Sequence, residues 1–109
     1  MTTTYKVLAQ NTPSANTVTT LYTVPSATST VVSTLTICNN NNSNTVISIA
    51  VCPANTAITS AQYICANTTV ATNDTVFLTC GFTLAATDTI RVVASQTNVG
   101  FNAFGSEIS

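Results

Sequence analysis

The sequence predicts an all-β fold: a single-domain antiparallel β-sandwich or jelly-roll-like fold of about eight short strands, spread over residues 1–109. Three observations lead there. Thr and Val are abundant, and their branched Cβ suits extended backbone. The good helix formers Glu, Lys, Arg and Met are scarce. Short apolar-alternating runs follow one another with turn signals between them, at a length of 109 residues that fits one ordinary domain.

The predicted strands run in order. Tyr5–Leu8 comes first, as a short strand suited to an edge. The polar stretch Asn11–Thr17 is a turn or loop. Thr20–Val24 is stopped by Pro25, which has no N–H for a ladder bond. In Thr30–Cys38, Val31, Ser33, Leu35 and Ile37 are expected on one face, and Val32, Thr34, Thr36 and Cys38 on the other. Asn39–Asn44 reads as a hairpin turn, because Asn tolerates left-handed backbone and bonds its own main chain. Thr45–Val51 puts Ile47, Ile49 and Val51 on one face and ends at Cys52-Pro53. Ala61–Ala66 forms a strand around Tyr63 and Ile64. Asn73-Asp74 turns the chain into Thr75–Cys80, and Gly81–Ala86 is expected as a loop. Thr89–Ser95 follows. Asn98 to Ile108 closes the fold, with Val99, Phe101 and Ala103 alternating against Asn102 and Phe104.

Charge narrows the function. Only 5% of residues are charged, against roughly 25% in an average domain, and the net charge is −1. Lys6 and Arg91 are the whole basic complement. Nucleic acid is therefore excluded as a partner, since phosphate recognition needs several cations on one face. A membrane surface is excluded on the same ground, and no apolar run is long enough for a transmembrane helix. The start lacks the charge and apolar pattern of a signal peptide, so synthesis in a cytoplasm is expected. A surface this neutral has little repulsion between copies and favours association. Edge strands normally carry Lys, Pro or bulges. With few such guards visible, partner subunits are expected to cover some edges or apolar patches.

The residues that could carry chemistry are few. There is no His, which removes imidazole catalysis and His-based metal sites. There is no Gly-rich phosphate loop. Cys38, Cys52, Cys65 and Cys80 contain no C-x-x-C pair. Free buried thiols are the leading reading, with disulfides and a four-Cys metal site as alternatives. Asp74 and Asp88 stand just before strands, where Asp bonds turn backbone. Arg91 and Glu107 are candidates for an ion pair, within one chain or across a subunit interface. The aromatics Tyr5, Tyr22, Tyr63, Phe77, Phe82, Phe101 and Phe104 are expected in the core rather than as a sugar platform. No catalytic, cofactor or metal residue emerges, and an enzyme is the weakest option.

Several segments together resemble a known group. They are Tyr5-Lys6-Val7-Leu8, Thr20-Leu21-Tyr22-Thr23-Val24-Pro25 and Val31-Val32-Ser33-Thr34-Leu35. With them go Asn73-Asp74-Thr75, Gly81-Phe82-Thr83-Leu84-Ala85-Ala86-Thr87-Asp88 and the ending Phe104-Gly105-Ser106-Glu107-Ile108. In this order they are similar to small β-rich virion structural proteins of tailed bacteriophages, notably those infecting cyanobacteria. The Asn39–Asn44 run and the four cysteines depart from that pattern. The resemblance implies a non-enzymatic particle component without cofactors. Within it, a capsid cement (decoration) protein is favoured, self-associated as a homotrimer on the capsid surface and bridging major capsid protein subunits. A tail, baseplate or fibre protein and a host-glycan adhesin are the alternatives.

Overall fold

The computed structural model describes residues 2–109, apart from the side chain of Cys80. Eight strands are formed: β1 (Thr3–Asn11), β2 (Thr19–Thr23), β3 (Ser29–Asn39), β4 (Thr45–Cys52), β5 (Tyr63–Val70), β6 (Thr75–Leu84), β7 (Thr89–Ala94) and β8 (Val99–Ile108). They make two four-stranded sheets, ordered β1-β8-β3-β6 and β2-β7-β4-β5, with every pair antiparallel. Only β4 and β5 are both consecutive and paired; every other connection crosses between the sheets. This is jelly-roll connectivity. Two short 3-10 turns, Pro53–Asn55 and Ser60–Gln62, lie in the β4–β5 connection.

The two sheets enclose one apolar layer. Val32, Leu35 and Ile37 of β3 and Val99, Phe101 and Ala103 of β8 supply one side, each 2% exposed or less. Ile47 and Ile49 of β4 and Ile90, Val92 and Ala94 of β7 supply the other. Fully burying one Val, Leu, Ile or Phe contributes about 1.5–3 kcal/mol, so these central strands carry most of the stability.

Several predicted details shift. Val32, not Val31, points into the core, because the β3 ladder slips at Ser33 against both neighbours. Thr30 and Val32 face inward before this bulge, and Leu35, Ile37 and Asn39 after it. One extra residue inverts the side-chain phase. Residues 81–84 continue β6 instead of looping, because Gly81, at φ +153°, lets the strand follow the same irregularity. β5 starts later and runs to Val70, since residues 60–62 coil into a 3-10 turn. β1 is longer than expected and runs to Asn11.

Asn39–Asn44 is not a hairpin: β3 and β4 belong to different sheets. Asn39 is fully buried there. Its Nδ2 donates to the carbonyls of Ser43, Val70 and Ala71, and its Oδ1 accepts from Asn41 N and Nδ2. Left-handed backbone falls instead on Asn16, Asn55, Asn73 and Asn98 in other turns, on Asn67 within β5, and also on Ala27, Ala54 and Thr87.

Edge guarding is the last correction. All four edge strands β1, β6, β2 and β5 have an irregular register against their neighbour. The expected scarcity of guards holds for Lys and Pro but not for bulges, which residue type alone does not reveal.

Gly105 is required by close approach. A Cβ built there would sit 2.0 Å from the Val31 carbonyl oxygen. Gly105→Ala is expected to lower stability by about 2 kcal/mol or more in urea unfolding. Gly100→Ala, whose Cβ has only Thr12 at 4.0 Å, should stay within about 0.5 kcal/mol.

Candidate functional site

One network of polar side chains links the two sheets. Lys6 on β1 donates to Glu107 Oε1 on β8 at 3.1 Å, the ion pair found among the described residues. Tyr22 on β2, in the opposite sheet, donates its hydroxyl to Glu107 Oε2 at 2.5 Å. The same hydroxyl lies 2.9 Å from Thr30 Oγ1 on β3. Positions 6, 30 and 107 share the inward face because Lys6 pairs with Gly105 and Thr30 with Glu107. The network therefore ties both sheets together beside the chain ends, where Thr2 and Ser109 also exchange backbone bonds. Burial, then the Glu107 carboxylate, pushes the Tyr22 hydroxyl up to about 12 from 10.0. The Tyr22 hydrogen bond, against some desolvation and helped by Lys6, holds Glu107 below the usual carboxylate range.

The expected Arg91–Glu107 pair is not made within the chain. The two residues stand on β7 and β8, in different sheets. Glu107 is engaged by Lys6 and Tyr22, while Arg91 Nη2 donates to Asn55 Oδ1 at 2.6 Å and to its carbonyl at 3.3 Å. Lys6 was the missed partner. The available signal was topological: the first and last strands pair in a jelly roll, which brings residues 6 and 107 together.

Asp88 and Asp74 serve turns. Asp88 accepts from Ala54 N and Ala85 N, and Asp74 from Thr75 N. Cys38, Cys52 and Cys65 are free thiols. Cys52 is buried, and the other two are half-buried; the expectation for the Cys80 thiol lies outside the described residues. No group of metal-ligating side chains gathers among the described residues.

The aromatics divide. Tyr22 and Phe101 are buried and Phe82 packs against the core, but Tyr5 is 84% exposed, Phe77 69% and Tyr63 40%. Expected core placement fails for Tyr5, Phe77, Phe104 and Tyr63: the first two and the half-buried Phe104 point outward from the β1-β8-β3-β6 sheet, and Tyr63 pairs with outward-facing Ala50 on the other sheet. The outer surface of β1-β8-β3-β6 is laid out by the registers in three cross-strand rows. Tyr5, Ser106, Val31 and Thr83 form the first; Val7, Phe104, Thr34 and Thr79 the second; Gln10, Asn102, Thr36 and Phe77 the third. No residue in these rows is charged. The exposed large apolar side chains Tyr5, Val7 and Phe77 lie on its two edge strands, and the half-buried Val31 and Phe104 stand among hydroxyls and amides on the strands between.

The outer surface of β2-β7-β4-β5 differs. The Arg91–Asn55 clasp holds the β4–β5 connection against β7, and outward-facing Ala50 and Cys52 are fully buried. A shallow open groove of about 290 Å³ lies beside β1 and β8, lined by Gln10, Asn11, Thr12, Gly100, Phe101 and Asn102. Phe101 is only 1% exposed, so the groove offers no aromatic stacking face.

Tyr22→Phe is expected to cost about 1–2 kcal/mol, the range for a hydrogen bond to a charged group that keeps some solvent contact. The depressed Glu107 group gives stability that is present above its ordinary range and lost as pH falls through its folded value. Removing the Tyr22 hydroxyl should move that acid loss to higher pH. Tyr22 itself contributes stability that is complete below pH 10.0 and lost as pH rises towards about 12. This alkaline loss should shrink in Tyr22→Phe, as thermal unfolding from acid to alkaline pH would show.

No family profile and no curated protein sequence matches the chain. Solved structures do. The chain is similar to one from a structure of infectious bursal disease virus, Gx strain, with a TM-score of 0.56 and 10% identity, covering 97% of this chain and 32% of that one. A second, from the crystal structure of the T13 particle of the same virus, gives 0.51 and 13% identity, covering 96% and 30%. At such identities the likeness establishes the fold alone, and the chain spans about a third of those chains' length.

Proposed function

We propose that the chain is a non-enzymatic structural component of a virus particle, working as one domain over 1–109. The observation that carries this reading is a jelly roll that leaves one entire sheet face uncharged and uncovered. The likeness to chains from infectious bursal disease virus particles supports it. A face of hydroxyls, amides and apolar side chains binds by excluding water, and its contacts are worth roughly 25 cal/mol per Å² of apolar area. Ordering costs remove much of that per contact, so many repeated copies make the attachment firm.

Within this reading the finer role is capsid cement: a homotrimer on the capsid surface, bridging major capsid protein subunits, made in the host cytoplasm. The phage-like segments of the sequence favour it. A second reading, a shell-forming jelly roll that tiles the lattice itself, is favoured by the neighbouring structures, which come from virus particles. Tail, baseplate or adhesin roles are further outcomes of the same experiment.

Quantitative mass spectrometry of purified particles, separated into heads and tails, tests the proposal. Cement predicts a high copy number on heads, near that of a separate major capsid protein. A shell former would itself be the most abundant head protein. Low copy number on tails would replace both with a tail role, and absence from particles would contradict the virion reading.

A further inference from the structure

We infer that the β4–β5 connection is a strap that opens as a unit while the sandwich stays folded, with Asn55 as its latch. The strap runs over residues 53–62, from the end of β4 to the start of β5. It packs on β7 through Pro53–Asn55 and on β4 through Ser60–Gln62. Ala50, Cys52 and Thr89 lie under it, each at most 1% exposed although they point away from the apolar layer. Such a cover gives the outer face of β2-β7-β4-β5 two forms, one masked and one bare. The strap goes beyond the virion reading and does not depend on it.

The strap is separable for three reasons. Its anchorage is polar: no residue of Pro53–Asn55 or Ser60–Gln62 is buried, and Ile58 between them is only half-buried. What it covers is small, so uncovering a methyl, a thiol and a hydroxyl exposes little apolar area. It is also self-contained. Thr56 N donates to the Pro53 carbonyl at 3.0 Å and Gln62 N to the Thr59 carbonyl at 3.1 Å, while Gln62 Oε1 accepts from Thr59 N at 2.6 Å. The strap can lift with these bonds intact. Segments with few buried apolar contacts open locally at a lower free energy than the core.

The latch is local and polar. Ala54 N donates to Asp88 Oδ1 at 2.8 Å. Arg91 Nη2 donates to Asn55 Oδ1 at 2.6 Å and to the Asn55 carbonyl at 3.3 Å. Both contacts fall on residues with left-handed backbone, Ala54 at φ +50° and Asn55 at φ +58°. Asn visits that region readily, whereas the Ala54 Cβ crowds the carbonyl that follows it. The latch therefore holds the strap against local strain, and release relieves that strain.

Alkylation of the native full chain with iodoacetamide, located by peptide mass spectrometry, tests this, with Cys52 as the reporter of opening. Cys52 should label faster than global unfolding allows, and with a weaker dependence on urea. Asn55→Gly keeps the left-handed backbone and removes the side-chain contact. It should speed Cys52 labelling roughly tenfold, the equivalent of one hydrogen bond to a charged group. Asn55→Asp tolerates the same backbone and meets Arg91 with a carboxylate. It should slow Cys52 labelling about threefold at low salt. In both variants Cys38, half-buried on the other sheet, should label as in wild type. Cys52 labelling at the rate and urea dependence of global unfolding, an equal change at Cys38, or a change in the same direction for both Asn55 variants would overturn the proposal.

Discussion

One apolar layer between two four-stranded sheets governs the molecule. β3 and β8 on one side, and β4 and β7 on the other, are the inner strands, and their inward residues form the buried cluster. The jelly-roll order follows from it, because crossing from sheet to sheet at nearly every connection lets each new strand add to a layer that already exists. Polar groups reach the interior only where they are satisfied. Asn39 spends its amide on three carbonyls, and Thr30 shares the Tyr22 hydroxyl. Such pairing is required, since a buried polar group without a partner costs about 1–3 kcal/mol.

The few charges are spent on architecture. Lys6, Glu107 and Tyr22 join the first and last strands to the opposite sheet. Asp88 joins two connections by accepting from Ala54 and Ala85, and Arg91 pins the β4–β5 connection through Asn55. With its charged side chains engaged inward, in turns or on the other sheet, the β1-β8-β3-β6 face has nothing ionic to display. Low charge therefore acts twice: it leaves few bridges to hold the fold, and it leaves a surface that gains little by staying in water.

The sequence made the strands legible where alternation was unbroken. Thr45–Val51, Thr89–Ser95 and the Val99, Phe101, Ala103 face match the observed elements to within a residue, because each keeps a single phase against the core. Legibility failed at irregularities. The bulge at Ser33 exchanges Val31 for Val32 in the core, and Gly81 looks like a loop residue yet sits inside β6. Asn39–Asn44 has the composition of a hairpin but links two sheets, since composition marks a turn without saying what it joins. The candidate surface was half visible: scarcity of charge led to the expectation of association, but which face was bare depended on register. The contacts of Glu107 with Lys6 and Tyr22 span 101 and 85 residues, beyond the reach of any local pattern.

Salt dependence of attachment tests most directly whether this chain holds its place by excluding water instead of by charge. Purified particles would be washed in NaCl from about 0.05 to about 1 M, a range that shortens electrostatic screening from well over 10 Å to about 3 Å. Attachment by neutral surface keeps the protein on the particle throughout, with retention flat or rising. Progressive release into the wash as salt increases would mean that ionic contacts hold it, and would contradict burial as the binding force.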